Sequence, residues 1–415
     1  MNAAEKTVRK ILKGFPGVVI FFFSLISLYL PYEAEICPYI LKYLPYSRYI
    51  AGGLLIIAFF TLYCSRLRLF RDNWYLLAVC IFIIILIYST YINDADLKSA
   101  LGSKGVTAIF AIMNMAIFLR VAPKRTLLIA FFWYLAINIA NTYCIFRFWG
   151  VGLWEVWGVS RNELISIVGN YNGGVEFVLP MALCGSAYAH RYGKWMDYLN
   201  YAAMLMSLAM AFKCDSWTQI IVYALAIGFM IVGNIAMIAK GAAHVIRLIF
   251  NPILMVGANA AVYIVVIWMG NAEWVTKFGI DQSFHGRRHI WDMAISYIYE
   301  KPIWGNGLET VNRVASKITG YAHSHSFFLH MTYVTGIIGT AAIIALLAVT
   351  VIVWFRVKND RVAYMMSFMT FLLCLTNLFE MYTIPFFLYT LGMIYYIGKT
   401  SDEHNANTRQ NTKHR

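Results

Sequence analysis

The sequence predicts an all-α, polytopic integral membrane protein, and two observations carry this prediction. Of the 415 residues, 60% are hydrophobic and only 13% are charged, whereas soluble domains are roughly 45–50% apolar and about 25% charged. The apolar residues also recur in runs of about 20, the length with which a helix crosses the hydrocarbon core of a bilayer. We therefore do not expect a soluble globular fold.

The apolar runs predict about twelve membrane-spanning helices. No small-residue cleavage site follows the first run, which favours a retained helix over a removable signal peptide. We expect residues 1–398 to form a single transmembrane domain and residues 399–415 to form a polar tail. The predicted spans lie at approximately 15–33, 49–64, 73–92, 105–120, 127–146, 173–190, 196–212, 217–239, 248–270, 327–354, 362–379 and 382–397.

The basic residues predict the orientation of these helices. With the N-terminus in the cytoplasm, the short inner loops are the consistently basic ones, as at Arg66, Arg68 and Arg71, in agreement with the positive-inside rule. Both termini and the polar tail are then cytoplasmic. The chain has a net charge of +14, and its basic residues alternate with apolar spans instead of forming one patch. We therefore expect membrane lipids, and no nucleic acid, as partners of these charges.

Two predicted outer segments, 147–172 and about 271–326, are longer than a connection needs, and loops of more than about 12–15 residues are usually functional or disordered. The second segment lies between predicted spans nine and ten. Its apolar residues recur at helical spacing, which predicts an amphipathic helix on the outer surface. These residues are Ile290, Trp291, Ala294, Ile295 and Ile298.

Arg287 and Arg288 begin this predicted helix. Cations are unfavourable at a helix N-terminus because of the helix dipole, so the pair needs another reason for its position. Guanidinium groups bind phosphate oxygens bidentately and stay charged, which favours a dianionic ligand. The alternative is contact with lipid head groups. The two roles are also compatible with each other if one arginine binds the ligand and the other binds lipid.

The stretch YAHSHSFFLH, residues 321–330, places three histidines where the tenth predicted span begins. Ser324 is a candidate N-cap, which puts His325 at the mouth of the helix on the same side of the membrane as Arg287. Imidazole is the side chain best suited to accept a proton near neutral pH. We expect His325 to accept the proton, His323 to be a loop residue near the substrate and His330 to pack within the helix.

Neither a metal nor an organic cofactor is expected. The seven cysteines are scattered and form no CxxC pair. The histidines of HSH, and the pair His285 and His289, could each begin a metal site. In neither case does a cysteine or aspartate at a recognisable spacing complete a tetrahedral set of ligands.

Three outer motifs follow one another in a fixed order. They are GR with Trp after three residues (GRRHIW), P-x-x-G-x-G (PIWGNG), and a histidine followed eleven residues later by G-x-x-G (HSFFLHMTYVTGIIG). Their order and outer placement resemble the O-antigen ligase and O-antigen polymerase family of membrane glycosyltransferases. An upstream stretch, RNELISIVGNYNGGVEFVLP, is similar to the family's Arg…G-N-x-N element. The resemblance covers about residues 140–340.

The resemblance implies a metal-independent glycosyltransferase. Members of the family move a glycan from an undecaprenyl-diphosphate carrier to a glycan or lipid-linked acceptor, on the outer face of the bacterial cytoplasmic (inner) membrane. The family's outer-loop arginine falls on Arg287 and its catalytic histidine on His325. Direct attack of the acceptor hydroxyl on the anomeric carbon would invert its configuration.

Two positions depart from the family pattern. Members often have His-Asn where this chain has His325 and Ser326, and Trp217 in KCDSWTQ stands where a second phosphate-binding arginine is expected. The charge missing at Trp217 has three candidate replacements, Arg288, Arg161 and Lys213. Other candidates for binding the diphosphate or sugar are Lys104, Asn170, Asn172, Glu176 and His323. Three carboxylates are candidates for orienting His325 or for a structural role, namely Glu163, Glu176 and Glu380.

A polytopic transporter or flippase of lipid-linked glycans is the alternative function. Transporters place polar sites near the bilayer midplane, often between repeated halves. This chain has no convincing internal repeat, and its candidate residues gather at one face. Polymerase and ligase both remain open, with the tryptophan at 217 slightly against a standard ligase, because the sequence identifies neither the sugar nor the acceptor.

Overall fold

The chain is predominantly helical over the residues that a computed structural model describes, which are 3–28, 43–63, 73–148, 165–236, 257, 287–318, 320, 323–357 and 360–413. The helices are α1 (Ala3–Lys13), α2 (Phe15–Leu28), α3 (Leu44–Tyr63), α4 (Trp74–Ile92), α5 (Leu97–Ser99), α6 (Thr107–Val121), α7 (Pro123–Arg147), α8 (Val175–Arg191), α9 (Trp195–Lys213), α10 (Trp217–Ala236), α11 (Arg287–Glu300), α12 (Val311–Lys317), α13 (Phe327–Arg356), α14 (Asp360–Phe379) and α15 (Ile384–Lys413). A π-helix (Ala100–Val106) joins α5 to α6. The antiparallel strands β1 (Ile165–Ser166) and β2 (Gly169–Asn170) and a 3₁₀ helix (Tyr171–Gly174) precede α8.

A helix coincides with every predicted span except the ninth, 248–270, which lies outside the described residues apart from Gly257. The amphipathic helix predicted within the long segment is α11. Its Ile290, Trp291 and Ala294 are buried, whereas Tyr299 is 80% exposed. The helical spacing of the apolar residues therefore predicted this element correctly.

Six described helices are long and apolar enough to cross a membrane, and a seventh span results if α1 and α2, which meet at 74°, are counted together. The membrane-protein prediction is confirmed, but the count of about twelve spans is not. Helix α8 illustrates the reason. It has 17 residues, and Val175 and every residue from Phe177 to Ala189 are buried. A helix enclosed by other helices need not present a full bilayer length of apolar surface.

The two ends of the chain differ in detail from the prediction. The first predicted span, 15–33, begins with α2 at Phe15, and the charged helix α1 precedes it across the 74° bend. At the other end, α15 continues to Lys413. The predicted polar tail, 399–415, thus extends the last helix over most of its length.

Polar side chains inside the bundle pair across helices. Asn138 of α7 donates to the Ser207 hydroxyl of α9 at 2.8 Å, and Tyr134 of α7 donates to the Tyr389 hydroxyl of α15 at 2.8 Å. Such bonds contribute about 0.6–2 kcal/mol each in membrane proteins. They fix α7, α9 and α15 relative to one another.

Helix α13 is interrupted at Gly336, which adopts φ 64° and ψ −164°. The break removes intrahelical partners from the backbone groups on either side of it. Residues 302–307, the PIWGNG loop, supply new partners. The hydrogen bonds run from Ile337 N to Pro302 O (2.9 Å), from Asn306 N to Tyr333 O (2.8 Å) and from Gly307 N to Val334 O (2.9 Å).

Gly305 and Gly336 permit this close approach because they lack Cβ atoms. A Cβ on Gly305, which has φ 72°, would lie 2.6 Å from Gly336 N and from Val334 O, and a Cβ on Gly336 would lie 2.7 Å from Gly305 N. No ordinary side chain fits at such distances. The PIWGNG and GIIG motifs therefore form the two sides of one backbone contact.

The last turn of α4 holds this contact in place. Ser89 Oγ is within hydrogen-bond distance of two carbonyl oxygens, those of Trp304 (2.5 Å) and Val334 (2.8 Å). Asn93 Nδ2 donates to Gly305 O at 3.0 Å. The loop is thus bound both to the broken helix and to its neighbour.

Replacing Gly336 by alanine should destabilise the protein strongly. A left-handed backbone costs a residue with a Cβ about 1–2 kcal/mol, and displacement of the loop brings the expected loss to at least about 3 kcal/mol. Thermal unfolding of the detergent-purified protein, followed by tryptophan fluorescence, measures this. Gly53→Ala in α3 is the matched control, because a Cβ there meets nothing within 4 Å. Equal melting temperatures for the two variants would contradict the proposed contact.

Candidate active site

His325 lies in a short non-helical segment, residues 323–326, directly before α13. Its backbone is in the left-handed region with φ 50°. Its backbone N–H donates to His323 Nδ1 at 3.2 Å, and the two ring centroids are 4.5 Å apart. The segment therefore holds both imidazoles together at the entrance of the helix.

The start of α13 corrects one prediction. Ser324 is not the N-cap, because the helix begins at Phe327 and Ser326 occupies the cap position with φ −154° and ψ 129°. Ser324 Oγ instead donates to Ser326 O at 3.2 Å. The left-handed His325 turns the chain before the helix begins, and the spacing of apolar residues carries no sign of such a turn.

Trp291 ties α11 to this segment. Its indole Nε1–H donates to Ser324 O at 2.9 Å, and the side chain is only 1% exposed. A buried indole N–H requires a partner, and here the partner is the carbonyl group next to His325. The sequence analysis used Trp291 as part of a motif but did not identify this bond.

Arg287 is the first residue of α11 and lies four residues before Trp291. Residues four apart share a helix face, so the backbone places Arg287 on the face that Trp291 docks against the His325 segment. Arg288 follows it in the first turn. The side chains of both arginines lie outside the part of the chain that the structure describes.

Glu380 brings a carboxylate to the same place. It directly follows α14, and its Oε2 is 3.8 Å from His325 Nδ1, within ion-pair distance but longer than a hydrogen bond. The side chains of His325 and Glu380 are 26% and 10% exposed. An imidazole with a carboxylate behind it is suited to accept and hold a proton.

Glu176 has a structural partner. It lies in the first turn of α8, and its Oε1 accepts the Thr383 backbone N–H at 2.7 Å. This bond joins the start of α8 to the turn between α14 and α15. This bond favours the structural role among the candidate roles of Glu176.

Glu309 is a buried carboxylate that the sequence analysis missed. Its Oε1 lies 2.8 Å from both Arg313 Nε and Lys317 Nζ, and Tyr333 donates to its Oε2 at 2.5 Å. These bonds fasten α12 to the N-terminal part of α13, beside the PIWGNG loop. The four-residue spacing of Glu309 and Arg313 was the available signal.

The two other histidines of the stretch have different surroundings. Burial, followed by the neighbouring His325 imidazole, lowers the pKa of His323 to about 4, with Glu380 acting in the opposite direction. His323 is therefore neutral near pH 7. His330 is buried within α13 and stacks on Tyr333, with ring centroids 5.9 Å apart, as expected for a packed helix residue.

The remaining candidates lie at varied distances from this site. Lys104 is half-buried in the π-helix and close enough to His330 for an electrostatic interaction, and π-helices often mark functional positions. Lys213 is exposed at the end of α9, and Trp217 is 69% exposed at the start of α10.

The upstream candidates lie mainly beyond what the structure describes. Arg161 and Glu163 fall outside the described residues. Asn170 and Asn172 lie on β2 and the 3₁₀ helix that lead into α8, and their side chains are outside the description. Among the described residues, no group of three or more His, Cys, Asp or Glu is arranged to hold a metal ion.

The fold and this site together define a polytopic helical membrane protein with a histidine-centred site at one end of its bundle. Residues 198–344 match the family model described as O-antigen ligase. This match, over about a third of the chain, confirms the resemblance to the O-antigen ligase and polymerase family. The match includes Arg287, Trp291, His325 and both glycine motifs. No curated protein matches the chain.

His323 should make the folded protein less stable in acid. Its pKa is about 4 in the folded state against 6.5 for the free side chain, so the unfolded state takes up the proton first. Stability should therefore fall as the pH decreases from about 6.5 towards 4. His323→Gln keeps an acceptor for the His325 N–H without titrating and should flatten this dependence. Melting temperatures across that range test it, with the exposed His289→Gln as control, and identical slopes for wild type and His323→Gln would refute it.

Proposed function

We propose that the protein transfers a glycan from an undecaprenyl-diphosphate carrier to an acceptor hydroxyl, as a polymerase or ligase of a surface polysaccharide. The observation that carries the proposal is the bond from Trp291 Nε1 to Ser324 O. It docks the helix that begins at Arg287 against the segment that holds His325. A cation for phosphate and a proton acceptor thereby share one end of the bundle.

The proposed reaction is a direct displacement. His325 takes the proton from the acceptor hydroxyl while that oxygen attacks the anomeric carbon of the donor sugar. The bond from this carbon to the diphosphate oxygen breaks, and its electron pair leaves with the diphosphate. Attack from the opposite face inverts the anomeric configuration. No metal takes part.

Arg287 stabilises the negative charge that develops on the leaving diphosphate. A second cation completes the site, and Arg288, Arg161 and Lys213 are the candidates for it. Lys104, Asn170, Asn172, Glu176 and His323 are the further candidates for contacts to phosphate or sugar. Arginine is suited to this task because its planar fork binds two phosphate oxygens at once.

The proposed location is the bacterial cytoplasmic (inner) membrane, with both termini in the cytoplasm and the active site facing outside. The distribution of basic residues supports this orientation. The lipid-linked donor and a glycan or lipid-linked acceptor would then meet at the outer surface, without nucleic acid or cofactor. Transport or flipping of lipid-linked glycans is less well supported, since the sequence has no convincing internal repeat.

Loss of His325 should abolish glycan transfer. General-base catalysis contributes roughly 10²–10⁴-fold, so His325→Ala should fail to complement a deletion strain, and Arg287→Ala should fail similarly. Lipid-linked glycans of each strain are extracted and sized, with membrane levels of each variant measured by immunoblot. His289→Ala, which alters an exposed histidine of α11, should complement fully.

The same experiment separates the two enzyme types. Accumulation of single repeat units, relieved by the wild type, identifies a polymerase. Accumulation of long polymer on its lipid carrier identifies a ligase. Full complementation by His325→Ala at normal membrane level would overturn the catalytic assignment and favour transport.

A further inference from the structure

We propose that Glu380 is the positioning residue of His325, acting through the Nδ1 side of the imidazole and leaving Nε2 for the acceptor hydroxyl. This inference rests on the proposed function and names a residue beyond the stretch that matches the O-antigen ligase family, which ends at residue 344. Glu380 does not touch substrate in this arrangement. It acts only through His325.

The geometry places the carboxylate behind the ring. Glu380 Oε2 is 3.8 Å from His325 Nδ1, and the glutamate is more enclosed than the histidine, at 10% against 26% exposure of the side chains. Hydrogen bonds of catalytic groups are often long before substrate binds and shorten afterwards.

A second tie joins the same two elements. Ser326 Oγ lies 3.5 Å from Asn377 O, in the last turn of α14 that leads into Glu380. On the opposite side, His323 Nδ1 accepts the His325 backbone N–H. The left-handed backbone at His325 is thus held by its neighbours, and the direction of its ring follows from these contacts.

The charges around the ring favour this role for Glu380. Glu380 from the end of α14 and His323 from its own segment are titratable groups that face His325. His323 in turn neighbours His330, which interacts electrostatically with Lys104. His323 is neutral near pH 7 and places no second positive charge beside the ring. A carboxylate at this distance stabilises the imidazolium that forms when His325 takes the acceptor's proton.

Glu309 provides a matched comparison. It is also a buried glutamate at this end of the bundle, but its oxygens bind Arg313, Lys317 and Tyr333. Loss of its charge should affect the fold without acting directly on the His325 ring. Glu300, exposed at the end of α11, serves as the neutral control.

The first test follows the reactivity of the His325 imidazole without any substrate. Diethyl pyrocarbonate modifies imidazole nitrogen, and mass spectrometry with fragmentation separates modification at His325 from that at His323. At one fixed pH, the rate of His325 modification should rise severalfold in Glu380→Gln, because the carboxylate no longer holds the Nδ1 side of the ring. It should stay near the wild-type value in Glu380→Asp, Glu309→Gln and Glu300→Gln. An unchanged rate in Glu380→Gln, or an equal rise in Glu309→Gln, would overturn the proposal.

The second test measures transfer in the deletion strain. Glu380→Gln should lower transfer about 10–100-fold at equal membrane level, and Glu380→Asp should recover part of it. Undiminished transfer by Glu380→Gln would refute the positioning role. A raised rate of His325 modification in Glu380→Gln, combined with no effect of the wild type on lipid-linked glycans, would support the pair and overturn the proposed function instead.

Discussion

The backbone contact between Gly305 and Gly336 is the constraint on which this end of the molecule depends. Within a bilayer, every backbone N–H and C=O group needs an internal partner, so a helix is broken only where other protein groups take over. The PIWGNG loop supplies those groups to α13, and Ser89 of α4 clamps both sides. The loop, the break and the clamp therefore form as one unit, and none is stable alone.

This unit positions the candidate active site from two directions. The N-terminal part of α13 runs from Phe327 to the break, which fixes where the His325 segment enters the helix. The loop also continues the chain from α11, whose Trp291 donates a hydrogen bond to Ser324 O in that segment. A shift of the loop would move both α11 and His325. The same backbone contact thus couples the first turn of α11 to the His325 segment.

Composition and periodicity predicted the helices because a chain within a bilayer must satisfy its backbone hydrogen bonds internally, which a helix does. The spacing of the motifs identified His325 and Arg287 as candidates. The sequence did not reveal the left-handed turn at His325, which depends on a contact with His323. It gave Glu380 only as one of three carboxylates, since its approach to His325 arises from the packing of α14 beside α13. The count of about twelve spans is not confirmed, because enclosed helices such as α8 do not by themselves have the length of a membrane span.

The left-handed backbone conformation of His325 affects which residue types are favoured at this position. A residue with a Cβ costs about 1–2 kcal/mol there relative to glycine, so selection for stability alone would favour glycine or asparagine over histidine. A variant optimised only for thermal stability would then tend to discard the imidazole. Under the proposed function, stability and activity therefore impose opposite requirements on this residue.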